Sequence, residues 1–266
     1  MKLLLLASAI VLALLSPQDK ITLRFNPRQG DKLVKTQKNE MSIKAKVIAG
    51  AQEQEIEIDQ RGSEQGTLEI VEVGDGKMTR CVLTCTEDIE EKKGPPTMQW
   101  EKKEKPLHGR KITLCMKDGA LVREGVDGLE AKVLNKLVLE DRSSRLFPKG
   151  PVAAGDTWEV AEDEVRKFLA ADEDMTSAKI KLKLTAVKDI DGRRCAIIDA
   201  DLDLGGKAKG GVDLTMKINV EMIVWIERGY TLSVAGKGTL SMKGENDQFK
   251  MTGQGPMSMT ITTKVE

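Results

Sequence analysis

The stretch VDLTMKINVEMIVWI, residues 212–226, alternates apolar and polar side chains with a period of two. Val212, Leu214, Met216, Ile218, Val220, Met222, Val224 and Ile226 fall on one side, while Asp213, Thr215, Lys217, Asn219 and Glu221 fall on the other. Successive side chains of a strand point to opposite faces, so this run reads as a β-strand with one buried and one wet face, roughly 50 Å long. SAKIKLKLTA (177–186) repeats the pattern with Ile180, Leu182 and Leu184 inward and Lys179, Lys181 and Lys183 outward. AIIDADLDL continues it through Ala196, Ile198, Ala200, Leu202 and Leu204. Asp191-Gly192, Gly74-Asp75-Gly76 and Glu227-Arg228-Gly229 supply turn residues between such runs. Connections this short join antiparallel neighbours, so a meander is expected.

One part of the pattern is written twice. LEIVEVGDGKMTRCVLTC begins at Leu68 and LKLTAVKDIDGRRCAIID at Leu182; without gaps, Leu68 matches Leu182, Asp75 matches Asp189, and Arg80-Cys81 matches Arg194-Cys195. Each half also opens on a proline-containing approach to Gly-Asp, LRFNPRQGDKL at 23–33 and LFPKGPVAAGDTW at 146–158. The repeat reads as a duplicated β unit, with the cysteines at equivalent strand positions. Two segments break the period. VDGLEAKVLNKLVLEDR carries Leu129, Val133, Leu134, Leu137 and Val138 on one helical face with Asp127 as its N-terminal cap, and VAEDEVRKFLAADED carries Ala161, Val165, Phe168 and Leu169. The expected fold class is mainly β (α+β): a large curved antiparallel sheet or half-barrel with internal duplication, its apolar face covered by two short helices. The expected divisions are a leader over 1–18, a first β unit over 19–126, a helical connection over 127–145 and a second β unit over 146–266, packed into one continuous domain.

MKLLLLASAIVLALLSPQDK has one lysine and then an apolar run from Leu3 to Leu15. That run is short for a membrane span and suits a secretory signal peptide, cut between Ser16 and Asp19. No cysteine follows it to take a lipid. The expected location is therefore secreted or periplasmic, with no transmembrane segment after cleavage. Such a compartment permits disulfides, and there are four cysteines: Cys81, Cys85, Cys115 and Cys195. Cys81 and Cys85 sit four apart on one strand, roughly 13 Å between Cα atoms, too far to bridge. Two readings stand for the rest: a Cys85–Cys115 bridge across a long hairpin, or buried free thiols.

The chain carries 42 basic and 42 acidic residues, and its aromatics are 3%. A balanced, aromatic-poor chain offers neither the field nor the stacking platforms that nucleic acid requires. The single histidine, His108, lies in the turn-like KPLHGRK and reads as a solvated loop residue. GxSxG, HExxH and CxxC are all missing from the sequence, so no catalytic residue, metal ligand or cofactor is assigned. GGKAKGG at 205–211 lacks the spacing of a phosphate loop and reads as a hairpin connection. Asp199, Asp201 and Asp203 share one strand face about 7 Å apart, which suits a solvated face better than one calcium ion.

What remains is the apolar face, where Met216, Met222, Met242, Met251, Met257 and Met259 concentrate late in the chain. Flexible thioethers suit a surface that adapts to varied greasy ligands. The strand and turn of 220–240 (VEMIVWIERGYTLSVAGKGTL), GDTWEV at 155–160 and the leader together resemble bacterial lipoprotein carriers of the LolA and LolB type. That resemblance implies a half-open barrel whose helices cover an apolar cavity, and an envelope-lipoprotein partner; the apolar face itself suggests an acyl chain or lipid as the ligand. The residues assigned to that cavity are Met216, Ile218, Val220, Met222, Val224 and Met242. The expectation is a non-enzymatic exported protein that binds a hydrophobic ligand. The competing expectation is a structural or protein-interaction module whose core is fully packed.

Overall fold

The computed structural model describes residues 19–95, 97–170, 174–208, 211–245 and 249–266; the leader over 1–18 lies outside the described residues. The alternating runs become twelve strands. The first group is β1 (Lys32–Ala49), β2 (Gln52–Gly74), β3 (Lys77–Lys93), β4 (Trp100–Glu104), β5 (Lys111–Lys117) and β6 (Ala120–Glu124). The second is β7 (Thr157–Val160), β8 (Met175–Ile190), β9 (Arg193–Ala208), β10 (Val212–Trp225), β11 (Tyr230–Glu245) and β12 (Lys250–Val265). They form a single sheet in the order β6-β5-β3-β2-β1-β12-β11-β10-β9-β8-β7, with β4 beside β3. All its ladders are antiparallel, and β6 and β7 end it without meeting, so the sheet stays open.

The curvature has a local cause in β11 and β12. A Cβ placed on Gly238 would lie 2.8 Å from the Ile218 Cα and still closer to the Lys217 carbonyl. One on Gly255 would lie 2.9 Å from the Ile43 Cα and still closer to the Ser42 carbonyl. Strands approach this closely only where one of them carries no side chain. The β1–β12 ladder also breaks at Ser42 and Ile43, beside Gly255-Pro256, where proline has no N–H to give.

Both Gly-Asp corners make the same bonds. The Gly30 N–H donates to the Ile70 carbonyl (2.8 Å) and the Ile70 N–H to the Asp31 carbonyl (2.9 Å). Likewise, the Gly155 N–H donates to the Leu184 carbonyl (2.7 Å) and the Leu184 N–H to the Asp156 carbonyl (3.0 Å). In each corner the Asp carboxylate accepts the amide three residues back, that of Arg28 (3.2 Å) or Ala153 (2.8 Å). Ile70 and Leu184 correspond in the gapless match of the two hairpins, and both are fully buried.

The match slips on the return strands. The turns fall on Asp75-Gly76 and Asp191-Gly192, whereas Asp189 is paired within its ladder, opposite Arg194. Cys81 lies opposite Ile70 but Cys195 lies opposite Lys188, so the two cysteines do not hold equivalent ladder positions. The second hairpin turns two residues later than the gapless match requires, and that displaced turn causes the slip, since the bulges at Ile70/Glu72 and Leu184/Ala186 do correspond. The Cys85–Cys115 bridge is also corrected. Cys115 pairs with Arg80, five residues from Cys85 and so roughly 16 Å away along the strand, beyond disulfide reach. All four cysteines are free and buried.

The two helices are shorter than their sequence patterns. In the connection only α1 (Ala131–Leu134) is helical, followed by a 3₁₀ turn over Arg142–Leu146. Asp127 does not cap it; its carbonyl instead accepts from Arg110 (2.9 Å). Leu137 is buried and Leu129, Leu134 and Leu139 are partly buried in a core with Leu33, Ile70, Cys81, Ile112, Leu114 and Tyr230, packing that overrides helical propensity. Asp141 caps the 3₁₀ turn, accepting from the Ser143 N–H (2.9 Å) and hydroxyl (2.7 Å). The second helix, α2 (Glu162–Leu169), ends on Ala170 in the left-handed region (φ 46°). It drives Val165, which is fully buried, into the core of Ile180, Leu182, Leu184, Ile198, Val220 and Val224. Ala161, expected inward, is exposed at its start.

Candidate ligand-binding trough

Register across the sheet sets the inward face as rows of opposed residues. One row runs Leu182, Ala200, Val220, Gly236, Met259, Asn39, Gly62. The next, toward the hairpin tips, runs Ile180, Leu202, Ile218, Gly238, Met257, Met41, Gln60. Nearer the tips lies the row Gly206, Leu214, Met242, Gly253, Ala45, Ile56.

The lids cannot cover all of this. Helix α2, with 8 residues, is about 12 Å long, whereas the 16 residues of β8, β11 and β12 each reach about 50 Å. The uncovered end holds a third apolar cluster: Ile43, Ala45 and Leu240 buried, with Met41, Met216, Met242, Met251 and Met257 partly buried against them. An open groove of about 1360 Å³ lies at this end, lined by Ile56, Ala45, Gly253 and Met242 and also by Thr252 and Gln254 from the alternating ladder positions. Pro95 and Met98, from the β3–β4 connection, form one wall, and Lys44, Lys46, Glu55, Glu57 and Lys243 also line it. That volume exceeds what a drug-sized ligand needs. Met98 is 44% exposed, so an apolar side chain faces water at the wall.

The six assigned residues divide. Ile218, Val220, Met222 and Val224 are buried in the lid-covered core, and Met216 is partly buried at the junction of that core and the tip cluster. Only Met242 lines the groove. Ile56, Ala45, Pro95 and Met98 were missed. Ile56 and Ile58 do alternate with charges in EQEIEID, so period two could have found the strand; nothing local marks Met98.

The inward face of β1–β3 turns polar midway. Gln60 donates to the Glu90 carboxylate (2.5 Å), and Lys92 lies 3.5 Å from Glu90. Asp88 is buried, with Lys105 3.4 Å from its carboxylate. His108 is tied in here rather than solvated: its Nδ1 accepts the Asp88 N–H (3.2 Å). Burial, with Asp88 and Glu64 adding to it, pushes the Cys85 thiol up to about 11, and burial alone does the same for Cys81. These thiols are protonated at neutral pH and are poor nucleophiles.

The outward face is a charged lattice. A single row reads Glu159, Lys181, Asp201, Asn219, Lys237, Ser258, Glu40, Arg61, Glu91, Lys102 across ten strands. Lys179 and Lys183 likewise oppose Asp203 and Asp199, and Asn219 donates to Asp201 (2.6 Å). Opposite charges directly across a ladder favour this register, and the three aspartates sit on the solvated face. Among the described residues no helix is long and apolar enough to cross a membrane, and no three potential ligand side chains converge as a metal site.

The arrangement defines a class: an open, antiparallel, half-barrel-like sheet whose partly lidded inner face leaves an apolar trough. No known protein family and no curated protein matches the chain. Among solved structures, lipovitellin, determined for its lipid–protein interactions, superposes with a TM-score of 0.50 at 8% identity, over 90% of this chain and 26% of the lipovitellin chain. The chain thus spans about a quarter of that protein, and the likeness is one of fold. A deltaS2 mutant of the TodX monoaromatic hydrocarbon channel gives a TM-score of 0.23 at 6% identity, over 90% of this chain and 91% of that one. DynF from the dynemicin pathway of Micromonospora chersina gives 0.17 at 11%, over 92% and 84%. Scores so low do not define a common fold.

Proposed function

We propose that the protein is an exported, non-enzymatic binder of a hydrophobic ligand, an acyl chain, lipid or envelope lipoprotein, held in the trough beyond the lids. The observation that carries this reading is the methionine-rich tip cluster, which shares Ala45, Ile56 and Met242 with an open groove of about 1360 Å³. Thioethers adapt to ligands of varied shape, and a concave apolar surface open to water gains by being covered. The lipovitellin-like fold is compatible with it, since that structure was solved for lipid contacts. The lipoprotein-carrier reading adds an envelope partner and the export that the leader implies. The matching Gly-Asp corners support a further part of the proposal, that 19–126 and 146–266 are two copies of one β unit joined through 127–145.

One observation favours the alternative of an interaction module with a packed core: Ile218, Val220, Met222 and Val224 are already buried against the sheet and α2. Native mass spectrometry after organic extraction, with uptake of a fluorescent fatty acid, separates the two. Uptake lost in Met242→Glu with the fold intact supports the trough. A bare polypeptide mass with no uptake leaves the interaction module.

A further inference from the structure

We propose that the seam between the two lid segments is a binding site for an anion of the phosphate class. A depression of about 630 Å³ lies between the α1 connection and α2. Among the described residues six cations line it: Lys132, Lys136, Arg142 and Arg145 from the connection, Arg166 and Lys167 from α2; Glu140 is the one lining carboxylate among them. In a chain with 42 basic and 42 acidic residues, such a concentration is local rather than a property of the whole surface.

Three of these cations, Arg145, Arg166 and Lys167, pair with neighbouring carboxylates. Arg145 forks onto Glu140 (2.6 and 2.8 Å) and reaches across the seam to Glu164 (2.6 Å). Arg166 binds Glu162 (2.7 Å), and Lys167 binds Glu164 (2.6 Å) and Asp163 (3.2 Å). Arg142 is different: its Nη2 donates to a neutral acceptor, the Lys136 carbonyl (2.7 Å). Burial first, and the Arg145 charge after it, push its pKa down against the pull of Glu140. A tetrahedral oxyanion between Arg142 and Lys136 would relieve both effects, because guanidinium forks match phosphate oxygens and an ammonium adds a point charge. An anion held there would also face Arg166 and Lys167 of α2, which line the same depression. The phosphate group has two sources, a lipid headgroup or a soluble phosphate ester, and the site does not depend on which ligand fills the trough.

The test uses the full mature chain and the variant Lys136→Glu/Arg142→Gln, with Arg142→Lys as a charge-retaining control. One arm titrates inorganic pyrophosphate by calorimetry. The other measures co-flotation with phosphatidylcholine vesicles with and without phosphatidic acid. Fatty-acid uptake and circular dichroism are scored separately, so a failed trough and a failed anion site give different results. Binding in either arm that weakens about tenfold in the double variant, the scale of one charge-assisted bond, and persists in Arg142→Lys supports the site. Pyrophosphate binding points to a soluble ester; binding only to acidic vesicles points to a headgroup. No binding in either arm, or equal binding by the double variant, overturns it.

Discussion

Gly236 and Gly238 are two residues apart on β11 and face inward together, yet they should respond oppositely to a methyl group. A Cβ on Gly236 meets side chains, the Met259 Cγ at 2.9 Å and the Val220 Cγ2 at 3.1 Å. Methionine can turn aside. A Cβ on Gly238 meets only backbone: the Lys217 carbonyl, its carbon at 3.0 Å, and the Ile218 Cα at 2.8 Å. Relief there requires β10 and β11 to move apart, against a ladder that pairs Ile218 with Gly238. Replacing glycine by alanine in a strand ordinarily stabilises by roughly 0.5–1 kcal/mol through the unfolded chain. Overpacking that shifts backbone costs roughly 1–3 kcal/mol. Gly236→Ala should therefore fall within about 1 kcal/mol of wild type, whereas Gly238→Ala should destabilise by about 1–2 kcal/mol. Urea unfolding with a common m-value measures both, since stability then reads directly from the midpoint. If Gly238→Ala proves as stable as wild type, or the two variants behave alike, backbone crowding is not what sets the bend.

Met242→Glu should abolish uptake of a fluorescent fatty acid at nearly unchanged stability, because Met242 lines an open groove; Met222→Glu should fail to fold, as Met222 is 4% exposed and a buried carboxylate has no partner there. Calorimetric unfolding beside the uptake assay tells these apart. Cys81 and Cys85 carry pKa values raised from 9.0 to about 11, so the folded state holds protons that the unfolded state loses. Stability should then fall as pH rises from 9 toward 11, and Cys81→Ala should flatten that slope in alkaline denaturation series. Tyr230→Phe removes a hydroxyl that donates to Asp31 (2.6 Å) at a site 1% exposed, and should cost about 1–3 kcal/mol by urea unfolding, since the bonded partner is charged.

The strands were legible because period two survives any tertiary context. Val212, Ile218, Val220, Met222 and Val224 are buried as the alternation requires. Which part of that face is open was not legible, because Met222 and Met242 look alike in sequence. They differ only in their distance from Val165, and that depends on strand register and on how far an 8-residue helix reaches. Asp127 failed as a cap because leucines beyond it found separate places in the second core. The Cys85–Cys115 pairing failed because β5 meets β3 around Arg80, a register that no local signal fixes. The cationic seam was equally hidden: its charges lie scattered over two amphipathic segments and converge only when both pack on the sheet.

On the proposed duplication, the sheet order itself accounts for the trough. Beginning from the Gly-Asp corner, β1-β2-β3-β5-β6 corresponds to β7-β8-β9-β10-β11, and the sheet lays the two series side by side in the same sense with β12 between them. The copies have shortened at opposite ends. β7 keeps 4 residues where β1 has 18, and β5 and β6 keep 7 and 5 where β10 and β11 have 14 and 16. Short strands therefore fall at both outer edges, where an unpaired ladder would otherwise invite aggregation. Length is retained where the copies meet, at β1, β12 and β11. The lids arise in the connection and just after the second corner, so they lie over the corner end of the sheet. The long central strands run on past them, and β12, which has no counterpart in either copy, brings Met251 and Met257 to that uncovered surface. A trough at the middle of the sheet and beyond the lids follows from where each copy lost its residues.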